Sequence, residues 1–218
     1  VITLGTLLDF EDAAGGDAQT SGTLWEHGQP TSGPNAAHSG NQVWATTLGG
    51  NFYASAREFL YFPSLDLTTA TAPVLSFRMW LRTYLSDYAF IQIREDGGDW
   101  QNLSFAINPY NAISTYGPAW GGNNGYRSTY EFFAADLTAH IGKLVEVRVG
   151  FSTNNNGYGP GAYIDDVRLD EETSDPDGDN VTGVIAEWNG GSDPYVADTD
   201  GDGTNDGAEG TAMTNPRN

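Results

Sequence analysis

A dense run of acidic side chains near the C-terminus has the spacing of a calcium-binding loop. Residues 198–209 place oxygen-bearing side chains at loop positions 1, 3, 5, 9 and 12, with glycine at position 6, where the chain must bend sharply. Ca2+ takes more protein oxygens than Mg2+ does, so calcium is the cation that this spacing predicts. The predicted ligands are Asp198, Asp200, Asp202, Asp206 and Glu209, together with the backbone carbonyl of Thr204 at position 7.

An earlier and less regular copy of this loop begins at Asp175, 23 residues upstream of Asp198. Its first half keeps the alternating aspartates, but its second half has glycine at position 9 and alanine at position 12, and a glutamate falls one residue late. We therefore predict a second calcium site, formed by Asp175, Asp177, Asp179 and Glu187.

The segment that carries both loops is acidic and poor in apolar residues. Residues 171–218 hold 12 acidic side chains, one basic side chain and seven sizeable apolar side chains, whereas residues 1–170 hold 17 acidic and eight basic side chains. So few apolar groups cannot offset the ordering entropy of 48 residues. The segment is therefore either a disordered acidic tail or a chain ordered by bound cations, and the loop spacing favours the second interpretation.

The two loops resemble thrombospondin type 3 repeats and related bacterial calcium repeats. This resemblance implies an extended chain along which calcium ions are strung, acting as a rigid spacer or cap. A dockerin is the alternative, since it binds a partner through helices that follow paired calcium loops. Glycine, asparagine and proline interrupt both following segments, which argues against such helices.

Before this segment, apolar and polar residues alternate with a period of two, which is typical of half-buried strands. One run places Val145, Val147, Val149 and Phe151 on one face, and another places Leu75, Phe77, Met79 and Leu81 on one face with Ser76, Arg78 and Trp80 on the other. Glycine, proline and asparagine punctuate these runs. We therefore predict an all-β chain: an antiparallel jelly-roll β-sandwich over residues 1–170, then an extended calcium-binding repeat segment over residues 171–218.

Several segments of the first block occur in an order typical of known modules. Leu-Asp-Phe-Glu-Asp at 8–12 opens the block, Trp-Glu-His-Gly-Gln-Pro at 25–30 follows, and Ala-Tyr-Ile-Asp-Asp-Val-Arg-Leu at 162–169 closes it. This order resembles the MAM-like jelly-roll modules of secreted bacterial proteases of the immune inhibitor A type, and is similar to cleaved-adhesin domains. The resemblance implies a structural calcium between the first and last strands, held by Glu11 and by Asp165 or Asp166, with carbonyls near Ser39.

The alternation of residues in the predicted last strand indicates, separately from the resemblance, which face Asp165 occupies. If Val167 and Leu169 face the core, alternation places Asp165 on that face, where a carboxylate needs a cation or several donors. An arginine partner, Arg168 or Arg148, or exposure of the carboxylate at the surface, is the alternative to calcium.

A glycine- and asparagine-rich stretch over residues 108–127 carries several aromatic rings. Flat rings beside amide donors suit the apolar face and hydroxyl rim of a sugar, which predicts a ligand-binding surface. In the alternative interpretation, the rings fold back and close the end of the sandwich. The predicted ligand-binding residues are Tyr116, Trp120 and Tyr126.

Composition excludes several functions. The chain has no cysteine and three histidines, none in an H-E-x-x-H pair, so thiolate catalysis and this class of zinc protease are excluded. A net charge of −20 disfavours binding to nucleic acid or anionic membranes, and no apolar run approaches the ~18 residues of a membrane span.

These observations predict a non-catalytic, calcium-stabilised recognition or adhesion module. Because the chain begins at Val1, without an initiator methionine or signal peptide, we expect a part of a larger protein. The excess of acidic residues suits a calcium-rich environment, so we expect this protein to be a secreted or cell-surface bacterial protein in which the module is monomeric. Its predicted partner is a polysaccharide or a protein surface. The alternatives are an accessory domain of a secreted protease or polysaccharide-active enzyme, and a structural spacer with no ligand.

Overall fold

The computed structural model describes residues 1–122, 127–155 and 159–218, and within these ranges the chain forms mainly β-strands. In chain order the strands are β1 (Thr6–Leu8), β2 (Gln19–Thr20), β3 (Glu26–Gly28), β4 (Val43–Ala45), β5 (Arg57–Tyr61), β6 (Leu65–Asp66), β7 (Pro73–Arg82), β8 (Tyr88–Glu95), β9 (Gln101–Asn102), β10 (Ala112–Ser114), β11 (Gly117–Gly121), β12 (Glu131–Asp136), β13 (Leu144–Ser152) and β14 (Gly161–Glu171). A 3-10 helix spans Thr138–His140, and two α-helices follow the strands, α1 (Val184–Gly190) and α2 (Asp206–Ala212).

The strands form two sheets with antiparallel pairing between neighbours. Sheet I has the order β12-β7-β14-β4-β3, with β1 paired to β14. Sheet II has the order β10-β11-β8-β13-β5-β2, with β6 paired to β13 and β9 paired to β8. The inner faces of the two sheets enclose a continuous apolar core, so the prediction of an all-β antiparallel jelly-roll sandwich is confirmed.

The period-two pattern correctly identifies the residues that face this core. Val145, Val147, Val149 and Phe151 of β13 are all buried, as are Ala89, Ile91 and Ile93 of β8. Because successive side chains of a strand point to opposite faces, the alternate residues of β8 and β13 form the outer face of sheet II.

Strand β7 differs from the prediction, because both of its faces are buried. Ser76, Arg78 and Trp80, predicted to face solvent, are 1%, 7% and 4% exposed. Trp80 packs on Tyr163 and the segment around Ala37 and Leu48. The outer face near Ser76 and Arg78 is covered by the C-terminal segment, which a local alternation pattern cannot reveal.

The C-terminal segment packs its few apolar residues on sheet I instead of forming a core of its own. Val184 of α1 is fully buried against Val74 and Phe132, and the Trp188 ring lies 4.6 Å from that of Phe132. The hydroxyl of Tyr195 contacts both Ser76 and Asp170. The division at residue 170 remains a prediction, but these contacts join the two segments.

The expectation that no helix follows either loop is wrong. Helices α1 and α2 each contain seven residues. The glycines and asparagines that suggested interruption lie largely at helix boundaries, where they are tolerated: Gly183 precedes α1, and Gly191 ends it with φ 110°. The segment is therefore not simply extended. Within the described residues, no helix is long and apolar enough to cross a membrane.

An ion pair fixes the C-terminal segment to the sheet. The guanidinium of Arg78 pairs with Asp193 and lies 4.9 Å from the ring centroid of Phe132.

Asp193→Ala is expected to lower the free energy of unfolding by about 1–3 kcal/mol, because it leaves a largely buried cation without its carboxylate. Denaturant unfolding measures this change. Asp99→Ala, at an exposed turn, is the control and should change stability by less than about 0.5 kcal/mol; equal effects of the two substitutions would contradict the assignment.

Candidate functional site

The acidic side chains of the C-terminal segment converge into close groups. In each group, three carboxylates offer oxygens that lie within 4.8 Å of one another. Among the described residues, the groups are Asp175, Asp177 and Asp179; Asp179, Glu187 and Asp206; and Asp198, Asp200 and Asp202.

The second group, called here the buried carboxylate cluster, joins the two predicted loops. Asp179, Glu187 and Asp206 are 2%, 1% and 2% exposed. Asp206, predicted at position 9 of the later loop, therefore lies beside ligands of the earlier loop. Glu187 also reaches the cluster although it falls one residue late, because helix α1 turns its side chain back toward Asp179.

Hydrogen bonds hold two members of the buried carboxylate cluster and leave the third without donors. Asp206 accepts bonds from the backbone N–H (2.9 Å) and hydroxyl (2.6 Å) of Thr199, and Asp179 accepts one from the N–H of Gly207 (2.8 Å). A Cβ at Gly207 would collide with the carbonyl oxygen of Asp179, so glycine permits this approach of the loops. Among the described residues, neither carboxylate oxygen of Glu187 has a hydrogen-bond partner.

The electrostatics of this cluster are unfavourable without a cation. Burial, reinforced by the charges of Asp177 and Asp179, raises the pKa of Glu187 to about 8. Burial, reinforced by Asp179, also raises the pKa of Asp177 to about 6, and Asp177 Oδ2 has no hydrogen-bond partner within the described ranges. An all-oxygen donor set containing unpartnered buried carboxylate oxygens fits a hard divalent cation such as Ca2+.

The later loop is more exposed. Asp198 accepts hydrogen bonds from the N–H groups of Gly201 and Gly203, both at 2.8 Å, and Asp202 accepts one from the N–H of Thr204, also at 2.8 Å. These bonds fold the aspartates toward one another. Glu209 is buried, and in the part of the chain that the structure describes its Oε2 has no hydrogen-bond partner, so it is a further carboxylate of this loop without a complete set of donors.

At the predicted seam of the sandwich, Asp165 does not share the core face of Val167 and Leu169, because a β-bulge between Asp165 and Arg168 interrupts the alternation of β14. Its buried carboxylate is held by backbone amides. Asp165 is fully buried and accepts hydrogen bonds from the N–H groups of His38 (2.8 Å), Ser39 (3.1 Å) and Asp166 (2.9 Å). Burial, reinforced by the charge of Asp166, raises its pKa to about 7. The alternative of an arginine partner is wrong: Arg148 bonds to Gln92 on sheet II, and Arg168 stacks on Tyr195.

The neighbouring carboxylates of the seam also have partners. Glu11 accepts bonds from the N–H groups of Asn41 and Gln42, both at 2.7 Å. Asp166 lies 2.6 Å from Nδ1 of His38 and accepts the hydroxyl of Ser39; although burial opposes ionisation, these contacts hold its pKa below the ordinary value. In the described structure, N–H and O–H groups donate hydrogen bonds to these carboxylates. Calcium at this seam therefore stays a prediction.

The aromatic residues predicted to bind ligand have different positions. Trp120 is fully buried, donates its indole N–H to the carbonyl of Asn108 (2.9 Å) and packs 4.9 Å from Phe133, so its assignment as a ligand-binding residue is wrong. For this ring the alternative, closure of the sandwich, is correct. Tyr126 lies outside the described residues. Tyr116 is half-buried and stacks on Phe90 at 5.5 Å.

Tyr116 borders a cleft of about 550 Å³ at one end of the outer face of sheet II. The ring has a firm base, because Gly150 of β13 leaves space for the Phe90 ring that lies beneath Tyr116. The described lining contains hydroxyl, amide, aromatic and guanidinium groups and no carboxylate; it comprises Ser55, Ala56, Arg57, Ser86, Tyr88, Ile113, Ser114, Thr115, Tyr116, Ser152, Thr153, Asn154 and Asn155.

Over 176 residues, the chain is 30% identical to bacillopeptidase F of Bacillus subtilis (strain 168). The match covers 79% of this chain and 11% of bacillopeptidase F, so the chain corresponds to a small part of that relative. No family model matches the chain.

Solved structures with a similar fold include a cleaved adhesin domain and a xylan-binding domain. The K1 cleaved adhesin domain of Lys-gingipain from Porphyromonas gingivalis W83 is 21% identical, with a TM-score of 0.46, covering 77% of this chain and 99% of that domain. A xylan-binding domain from Paenibacillus barcinonensis is 15% identical, with a TM-score of 0.44, covering 78% and 97%.

Sequence reasoning missed Arg57 and Tyr88 in the cleft. Arg57 precedes Phe59 and Tyr61 at a spacing of two, so the alternation of β5 could have placed these three side chains on one face. The pairing of Tyr88 with Ser152 depends on the register between β8 and β13, which a single sequence does not show.

Proposed function

We propose that this chain is a non-catalytic, calcium-stabilised module of a larger extracellular protein, and that it binds polysaccharide in the cleft beside Tyr116. The observation that carries the proposal is the cleft itself, in which the half-buried ring of Tyr116 lies among hydroxyl, amide and guanidinium groups. A ring face packs on the apolar face of a sugar, while the rim groups hydrogen-bond to sugar hydroxyls.

Calcium is the second part of the proposal. The group of Asp175, Asp177 and Asp179 and the buried carboxylate cluster, which have Asp179 in common, would hold it, and the later loop offers Asp198, Asp200, Asp202 and Glu209. When bound, the ion neutralises clustered carboxylates and acts as a stabilising ligand of the folded state. The unpartnered oxygens of buried Glu187 support this assignment, because a buried carboxylate without donors or a cation is costly.

The arrangement of His38, Ser39 and Asp166 supports a non-catalytic role. A serine nucleophile needs a base that accepts its proton, as in a Ser-His-Asp triad. Here Ser39 donates directly to Asp166, and the Nδ1 atom of His38 contacts the same carboxylate. The histidine is therefore a structural loop residue that orders the segment beside the last strand.

An accessory domain of a secreted peptidase is the second candidate function. It is supported by the 30% identity to part of bacillopeptidase F. In that setting the module would position a neighbouring peptidase domain on a surface. The two candidates differ in whether the isolated chain binds polysaccharide.

Binding without turnover is expected when the full chain is presented with a panel of polysaccharides. Tyr116→Ala should weaken affinity by about tenfold, because it removes the ring face while leaving the sandwich folded. Affinity electrophoresis or calorimetry measures the change, and Tyr84→Ala, at an exposed tyrosine outside the cleft lining, is the matched control. Release of shortened products, or the absence of binding to every polysaccharide by the folded chain, would contradict the proposed function.

A further inference from the structure

The outer face of sheet II carries a stripe of arginines in a protein with 29 acidic and nine basic residues. We infer that this arginine stripe, formed by Arg57, Arg148 and Arg94, selects anionic polysaccharides, whose carboxylate or sulfate groups bind the guanidinium groups while sugar rings pack on the adjacent aromatic side chains. The inference rests on the proposed function and names its substrate class.

Strand register places the three arginines on one face. Arg57 pairs with Ser152, Tyr61 pairs with Arg148, and Arg94 pairs with Glu146. Because Glu146, Arg148 and Ser152 are separated by even numbers of residues on β13, their side chains point the same way. The stripe therefore runs from the cleft at Arg57 along β13 for about 20 Å, the length of six strand residues.

Aromatic rings hold the arginines of the stripe in place. The guanidinium of Arg148 lies between the rings of Phe59 (3.8 Å) and Trp100 (4.0 Å). Arg57 lies 4.2 Å from the centroid of Tyr116, and Arg94 lies 4.5 Å from that of Trp100. Stacking fixes the plane of each guanidinium, and the edge N–H groups of Arg57 face no carboxylate of the described residues and remain for an anionic acceptor.

The cations of the stripe are incompletely neutralised. Among the described residues, Arg94 pairs with Glu146 at 2.6 Å, whereas Arg148 donates to the neutral oxygens of Gln92 and Tyr61. Arg57 is exposed and has no carboxylate partner in the described ranges. Burial lowers the pKa of Arg148, and the charges of Arg57 and Arg94 act in the same direction, so the three cations share one field.

Charge segregation makes the face suitable for an anion despite the total charge of −20. The outward charged side chains of β5, β8 and β13 are three arginines and Glu146, a net of +2. The 12 acidic residues of the C-terminal segment belong to a segment that packs on sheet I, across the sandwich. Packed sheets lie about 10 Å apart, so the full thickness of the sandwich separates that segment from the stripe. Because Coulomb repulsion falls with distance, the acidic segment acts on the stripe less than charges on the same face would.

Matched acid and ester probes test the inference with the full chain at a fixed free calcium concentration. Oligogalacturonides carry a carboxylate on each sugar, and their methyl esters keep the same rings without the charge. The acid form should bind at least about tenfold more tightly than the ester, as expected for one or more charge-assisted hydrogen bonds. Dextran sulfate compared with dextran identifies whether sulfate can replace carboxylate.

Variants at the exposed end of the stripe assign the effect. Arg57→Gln should weaken binding of the acid by about tenfold and leave binding of the ester within about twofold. Arg57→Lys keeps the charge but loses the planar fork, and should recover only part of the affinity. Arg217→Gln makes the same change in net charge at the C-terminus and should have no effect.

The outcomes separate this inference from the proposed function. Equal binding of acid and ester, unaffected by Arg57→Gln, would overturn the inference and leave polysaccharide binding intact. Absence of binding to both forms and to a panel of neutral polysaccharides would overturn both. Equally tight binding of polyglutamate would also overturn the inference, because it would show attraction to any polyanion without a contribution from sugar rings.

Discussion

Glu187→Gln is expected to stabilise the calcium-free protein and to destabilise the calcium-loaded protein. Without the ion, the buried Glu187 carboxylate has no hydrogen-bond partner and lies beside Asp179 and Asp206. Because burial raises the pKa of Glu187 to about 8, folding at neutral pH without the ion must either protonate this group or keep its charge beside the other carboxylates. A neutral amide removes this cost, and the expected gain in free energy of unfolding is about 1–3 kcal/mol. With calcium present the same change removes a ligand, and each tenfold loss of affinity costs about 1.4 kcal/mol at saturating calcium.

Melting curves of both proteins, in chelator and in excess calcium, measure this reversal. Glu172→Gln is the matched control, because Glu172 lies in the same segment but accepts hydrogen bonds from the N–H groups of Ile185 (2.9 Å) and Ala186 (2.8 Å). Its effect should have the same sign in both conditions. If Glu187→Gln also shifts the melting temperature in one direction regardless of calcium, the buried carboxylate cluster is not a calcium site.

Trp120→Ala is expected to lower the free energy of unfolding by about 3–5 kcal/mol, whatever it does to ligand binding. The indole is fully buried between the rings of Phe105 and Phe133, each 4.9 Å away. Truncation leaves a cavity in the core and deprives the carbonyl of Asn108 of its indole donor. Chemical denaturation of the variant measures the loss.

Two further variants separate core packing from binding. Trp120→Phe keeps most of the ring and loses the N–H donor, so it should cost less than Trp120→Ala. Tyr116→Ala should reduce polysaccharide affinity with a much smaller effect on unfolding, because Tyr116 is only half-buried at the cleft. A Trp120→Ala variant that unfolds like the unsubstituted chain but fails to bind polysaccharide would contradict the role of Trp120 in the core.

The sandwich could be predicted because its signal is local. In β13 the alternation of Val145, Val147 and Val149 with more polar residues follows from the geometry of a single strand. The burial of Arg78 could not be predicted in this way, because Phe132, Trp188 and Asp193 come from distant parts of the chain. An alternating pattern shows which residues share a face, but it does not show what covers that face.

Of the candidate sites, too, only the parts that depend on local spacing could be predicted from the sequence. Asp175, Asp177 and Asp179 form a close group that their spacing predicts, since neighbours in a tight loop must converge. Loop position 9 assigns Asp206 to the later loop, whereas its place beside Glu187 depends on how the two loops and their helices pack. The arginine stripe likewise depends on register among three strands, and no single segment of the sequence contains it.

The central claim is that the carboxylates of the C-terminal segment hold calcium in the folded protein. Calorimetric titration of calcium into the chelator-treated full chain tests it most directly. We expect saturable binding of about two ions per chain, one for each loop, with the binding to the earlier loop weakened at least tenfold in Glu187→Gln. A titration without saturable heat, together with a melting temperature that calcium does not change, would contradict the claim.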